Sequence, residues 1–222
     1  MGEVKLYGTK NSILASRVVW ALKLKDVDFE FIEENLQAKS PELLKFNPVH
    51  KTIPVLVHNG QPICESMIIV EYINEAWPEN PLLPIEPYAR AISRFWVKYL
   101  EDKSLAFVKL RSATTGEELE NARNETIQIL ETIEEHATGD KGVLGGDKIG
   151  LVEIALGTLL YILGILEEIV GSENLVKSGR FPRLEAWFKT FSEHPVINEN
   201  MPDRGDLVTF FKMLRETGHY RS

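Results

Sequence analysis

One cysteine, Cys64, stands in the 222 residues, so no internal disulfide can form and the chain suits a reducing compartment. The five histidines show no HxH or HExxH spacing, so no metal is expected. Neither a phosphate-binding glycine loop nor a catalytic-triad serine motif occurs. Basic residues are outnumbered 25 to 33, and the resulting net charge of −8 argues against nucleic acid or an anionic membrane as main partner. The N-terminal stretch lacks the basic start, apolar core and cleavage pattern of a secretory signal, so a cytoplasmic location is expected. Low-complexity tracts and internal repeats are missing too. One long apolar run is present, Ile149–Leu166, with Glu153 as its single acid. Three glycines interrupt it and Glu167-Glu168 close it, so a buried central helix is expected, not a membrane span.

What remains is ordinary globular composition, 44% hydrophobic and 26% charged, in a chain long enough for two domains with real cores. Pro78, Pro81, Pro84 and Pro87 fall within ten residues, a spacing that neither a helix nor a central strand survives. They mark a linker at 78–87 between an α/β domain, 1–77, and an all-α domain, 88–222. In the first, strands are expected at Val4–Tyr7, Asp28–Ile32, about Pro54–His58 and Gln61–Cys64, with helices at Ser16–Lys25, Pro41–Phe46 and Met67–Trp77. Ser40 caps the second of these, with Pro41 at its first position. Asn59-Gly60 between apolar strands is the strongest short-range hairpin signal. In the second domain, helical periodicity covers Tyr88–Leu110, Glu117–Ala137, Leu151–Ile169, Phe181–His194 and Asp206–Glu216. Gly145-Gly146, Gly179 and Pro195 punctuate it.

The pair Glu65-Ser66 falls where a strand hands over to a helix. A helix start offers free N–H groups and a positive dipole end, so an acid and a hydroxyl there can hold a ligand carrying both an ammonium and a carboxylate, as an amino-acid headgroup does. A plain helix cap is the competing reading for Ser66. Pro54 at a strand start removes an amide donor and suits a bend or a cis peptide, with an ordinary trans proline opening the strand as the competing reading; a cis bond would expose the Ile53 backbone to a peptide ligand by strand addition.

That element order, with a bend proline before the third strand, resembles the thioredoxin-like domain of glutathione transferases. Asn47-Pro48-Val49-His50-Lys51, Pro54-Val55-Leu56-Val57-His58-Asn59-Gly60, Glu65-Ser66-Met67-Ile68-Ile69-Val70-Glu71-Tyr72-Ile73, Trp20-Ala21-Leu22-Lys23-Leu24-Lys25 and Arg94-Phe95-Trp96 are similar to the plant tau class. With Asp147-Lys148-Ile149-Gly150-Leu151-Val152-Glu153-Ile154-Ala155-Leu156-Gly157, the likeness spans essentially the whole chain. It implies the glutathione transferase fold, an α/β thioredoxin-like domain followed by an all-helical one, and a two-fold homodimer. Glutathione would be the co-substrate, its thiolate joined to electrophilic hydrophobic small molecules, with side activity towards organic peroxides.

The resemblance also assigns residues. A thiol of pKa about 8.5 must be held as thiolate at neutral pH, which a hydroxyl donor at a helix N-terminus can do. The matching serine is Ser12, although Ile13 and Ala15 stand where the class usually carries proline and serine; Ser16 is the rival donor. Glu65 would take the γ-glutamyl ammonium, Ser66 its carboxylate, and Ile53 before Pro54 the cysteinyl backbone. Of the two lysines that meet the glycine carboxylate in relatives, one corresponds to Lys39 and the other to Thr52, with Lys51 next door. Acceptor candidates, in a pocket expected between the domains, are Phe107, Arg111, Tyr161, Phe210 and Phe211, with Arg111 favouring anionic acceptors; each aromatic is also readable as plain core.

Cys64 ends an apolar strand with no basic neighbour and reads as a small buried hydrophobe. A cysteine-type transferase would need its thiol within Asn11–Ser16, which contains none. The alternative function is a non-catalytic carrier, a ligandin, taking hydrophobic or anionic metabolites in the same cleft.

Overall fold

The computed structural model describes residues 2–138, 143–144 and 148–217. The chain separates into two compact units. Of the described residues, the first holds 2–83 with 195–202, and the second holds those within 84–194 and 203–217. The Gly145-Gly146 punctuation lies outside the described residues.

The first unit is built on four strands, β1 (Val4–Gly8), β2 (Glu30–Glu33), β3 (Val55–His58) and β4 (Gln61–Cys64), in sheet order β2-β1-β3-β4. β1 runs parallel to β2, across the intervening helix α1 (Ile13–Leu24), and antiparallel to β3. β3 and β4 form a hairpin closed by Asn59 and Gly60, both at positive φ (52° and 78°), as a two-residue primed turn requires. Helices α2 (Pro41–Phe46) and α3 (Ser66–Ala76) complete the β-α-β-α-β-β-α order. Tyr7, Leu43, Val55 and Val57 form a buried cluster, against which Ile32, Phe46, Ile53 and Cys64 pack.

Most element boundaries shift by a residue or two from expectation, and α1 and β2 show why. α1 begins a turn before Ser16, because Ser12 caps it and Ile13 and Ala15 are already buried. β2 covers Glu30–Glu33 because its pairing with Lys5–Gly8 fixes its ends.

The second unit is helical: α4 (Pro87–Ser112), α5 (Gly116–His136), α6 (Leu151–Val170), a single 3-10 turn (Val176–Ser178), α7 (Pro182–Glu193) and α9 (Arg204–Thr217). The five-residue α8 (Pro195–Glu199), too short to leave a periodic signal, belongs to the first unit, where the Trp20 indole donates to the Asn200 carbonyl at 3.1 Å. α6 is buried on nearly every face from Leu151 to Gly157 and again around Leu163–Glu167. Gly157 is obligatory there, since a Cβ would overlap the ring of Phe191 on α7. Among the described residues no helix is long and apolar enough to cross a membrane.

Candidate functional site

At the start of α1, Ser12 is the N-cap: its Oγ accepts from the Ala15 N–H at 3.2 Å, one of the four donors a helix start leaves open. Accepting with a lone pair leaves the hydroxyl's own O–H to donate elsewhere. No acid lies in the first turn of α1, so the positive end of the helix is not neutralised by its own side chains. Ile13 occupies the first helical position without disturbing this arrangement. Ser16 is buried, and its hydroxyl donates back to the Ser12 carbonyl at 3.2 Å. Tyr7, on the preceding strand, is a phenol buried in the core cluster, and burial pushes its pKa up, against easy release of a proton.

Ser66 is the first residue of α3, and the cap position belongs to Glu65, which makes no side-chain cap bond. The backbone of Glu65 has φ 71° and ψ 117°, a conformation that costs a non-glycine residue on the order of 1–3 kcal/mol and concentrates at binding and catalytic sites. Ser66 is buried, and its Oγ accepts from Nη1 of Arg17 at 3.2 Å. Arg17 was not singled out from the sequence. Its signal there is a lone cation among Ile13, Val18, Trp20 and Leu22 on a buried helix, 2% exposed here.

The remaining residues gather on the turn between α2 and β3, which Asn47 organises from a buried position. Its Nδ2 donates to the Thr52 carbonyl (3.0 Å), its Oδ1 accepts from the His50 N–H (3.1 Å), and its carbonyl accepts from the Lys51 N–H (2.9 Å). Lys39 reaches the same turn, Nζ donating to the Lys51 carbonyl at 2.8 Å. It is steered there by Ser40, which is tied to the buried Glu34 by a 2.6 Å hydroxyl bond while capping α2. The Ile53–Pro54 bond is cis, and the β3 ladder starts only at Val55. His50 Nε2 lies 3.7 Å from Oε1 of Glu65, so the turn and the start of α3 meet through side chains.

Ser12, Arg17, Lys39, Ile53, Pro54, Glu65 and Ser66 thus all belong to the first unit. Within the second unit, Arg111 lies over the Phe211 ring (5.6 Å), and Phe210 adjoins Phe211 (5.5 Å between centroids). Phe107 is buried in α4. Tyr161, on α6, is half-buried; burial raises its phenol, with smaller opposing influences from Arg204 and Asp203. Cys64 Sγ contacts the Phe46 carbonyl at 3.8 Å, and burial, then Glu65, pushes its thiol up, the opposite of a nucleophile's environment.

The architecture is that of a thioredoxin-like domain followed by an all-helical domain. The family model described as glutathione S-transferase, N-terminal domain, matches residues 2–75, and the one for the C-terminal domain matches residues 91–195. A probable glutathione S-transferase of Solanum tuberosum is 48% identical over 96% of this chain and 95% of its own length, and one of Glycine max is 45% identical over 97% and 95%. Among solved structures, the tau-class glutathione S-transferase of mango, Mangifera indica, is similar at 39% identity and TM-score 0.86, covering 96% of this chain and 98% of its own. Rice GST1 in complex with glutathione is similar at 31% identity and TM-score 0.89, covering 98% of each chain. The chain belongs to the glutathione S-transferase family, in its plant tau class. Its activity is glutathione conjugation.

Proposed function

We propose that the Ser12 hydroxyl holds glutathione as its thiolate. The single observation that carries this is the polarity of the cap: Ser12 Oγ accepts from the Ala15 amide, leaving its O–H to donate to sulfur beside an un-neutralised helix N-terminus. The thiol proton passes to solvent, the thiolate attacks an electrophilic carbon, a carbon–sulfur bond forms and the leaving group departs with its electron pair. Glu65 receives the γ-glutamyl ammonium and Ser66, with the open amides of α3, its carboxylate. The Ile53 backbone pairs with the cysteinyl residue, and Lys39 serves the glycine carboxylate. Phe107, Tyr161, Phe210 and Phe211 take apolar acceptors, and Arg111 favours those carrying an anion. Organic peroxides are a secondary substrate class, detoxification in the cytoplasm is the setting, and the chain works as a homodimer.

With a simple aryl halide, Ser12→Ala is expected to lower kcat by roughly 100-fold or more, the usual cost of about 2.7–4 kcal/mol for one lost oxyanion donor, with glutathione affinity little changed. Wild-type turnover in that variant would transfer the role to backbone amides. Tight dye binding by the wild type without any conjugation would favour the carrier instead. Light scattering is expected to report a dimer at micromolar concentration; a stable monomer would remove the two-fold assembly from the proposal.

A further inference from the structure

Resting on the glutathione-binding reading above, we propose that His50 is a second recognition residue for the γ-glutamyl ammonium and makes its binding depend on pH. His50 Nε2 and Glu65 Oε1 are 3.7 Å apart, and both side chains are more than half exposed, so an ammonium arriving from solvent can touch both at once. His50 is not loosely hung. Its N–H is bound to Asn47 Oδ1 at 3.1 Å, and Asn47, 3% exposed, is itself fixed to the carbonyl of Thr52 at 3.0 Å.

An ammonium carries three donors and a carboxylate at Glu65 satisfies them only in part, so a neutral imidazole nitrogen beside it supplies a further acceptor. The imidazolium reverses that. It has no acceptor, repels the incoming ammonium and pairs with the Glu65 carboxylate for itself. Imidazoles as a class change charge between pH 5 and 8. The other charged groups at this corner are Lys51, which adjoins His50, Lys39, bound to the Lys51 carbonyl, and Arg17, bound to Ser66. Cys64 adjoins Glu65 and its thiol is pushed up, first by burial.

The test is calorimetry with S-methylglutathione, which has no free thiol to titrate, from pH 5.5 to 7.5 on the full chain. Wild type is expected to lose roughly threefold to tenfold in affinity at the acid end, the range an exposed charge pair can supply. His50→Gln is expected to bind with a flat profile over the same range, and a deamino analogue of the same peptide is expected to bind wild type with no pH dependence. Equal slopes in wild type and His50→Gln, or the same slope with the deamino analogue, would overturn the inference. Glu65→Gln at pH 7.5 separates the two levels. If it weakens S-methylglutathione while His50→Gln does not alter the slope, the binding site stands and the role of His50 falls; if it changes nothing, both fall.

Discussion

The guanidinium of Arg17, on α1, donates through Nη1 to the hydroxyl of Ser66, the first residue of α3, at 3.2 Å and out of contact with water. The bond gives Ser66 the same polarity that the Ala15 amide gives Ser12. In each case the protein fills a lone pair and the O–H is left for an anion. One serine faces the place proposed for a thiolate, the other the place proposed for a carboxylate.

Arg17→Ala is therefore expected to weaken glutathione binding by roughly tenfold, about 1.4 kcal/mol, while saturating turnover falls much less. It removes a buried charged donor, so the melting temperature should drop as well, by an amount matching a loss of about 1.5–3 kcal/mol. Steady-state kinetics with glutathione varied, beside a thermal melt, checks both. A fall in kcat with KM unchanged would show that Arg17 acts on the thiolate and not on the headgroup.

Thr52 offers a gain-of-function test. Its carbonyl is anchored by Asn47, and the Lys39 ammonium already sits on the neighbouring Lys51 carbonyl at 2.8 Å, so the turn brings one lysine beside a position open to a second. Thr52→Lys is expected to tighten glutathione binding roughly threefold to tenfold at low salt, a charge-assisted bond discounted for exposure at the rim. The gain should shrink as salt rises. Unchanged affinity in Thr52→Lys together with weakening in Lys51→Ala would assign the contact to Lys51.

Two buried carboxyls give the second unit an unusual pH response. Burial raises Glu153 to about 7, against a hydrogen bond accepted from the Gly150 N–H at 3.0 Å. Burial likewise raises Glu167 to about 7, against the bond from the Leu175 N–H and the charge of Arg123. Both folded values lie above the ordinary 4.5, so the folded state binds more protons than the unfolded one between about pH 4.5 and 7. Their contribution is complete below that window and is lost as pH rises through 7. Glu153→Gln keeps an acceptor for the Gly150 amide and cannot ionise, so it should flatten the decline in melting temperature from pH 5 to pH 8 and melt above wild type at pH 8. Parallel melting profiles for the two proteins would refute the assignment.

Much of this molecule is determined locally. Apolar alternation, the Asn59-Gly60 turn, the Ser40-Pro41 helix start and the four prolines at 78–87 each act within a few residues, which is why the order of elements and most of the helices follow from the chain alone. Glu65-Ser66 could be singled out for the same reason, because it stands at a junction between a strand and a helix.

Other features depend on residues far apart in sequence, and only the tertiary structure decides them. That Ser12 caps α1 while the Ser16 hydroxyl turns back to the Ser12 carbonyl follows only from α1 starting at Ile13. Arg17 draws no attention in the sequence because its partner Ser66 lies 49 residues away. α8 joins the first unit through Trp20 and Asn200, 180 residues apart, and leaves no local mark at all. Neighbouring residues set local conformation through backbone sterics and hydrogen bonds. The direction of a buried donor is set by whatever the folded chain brings against it.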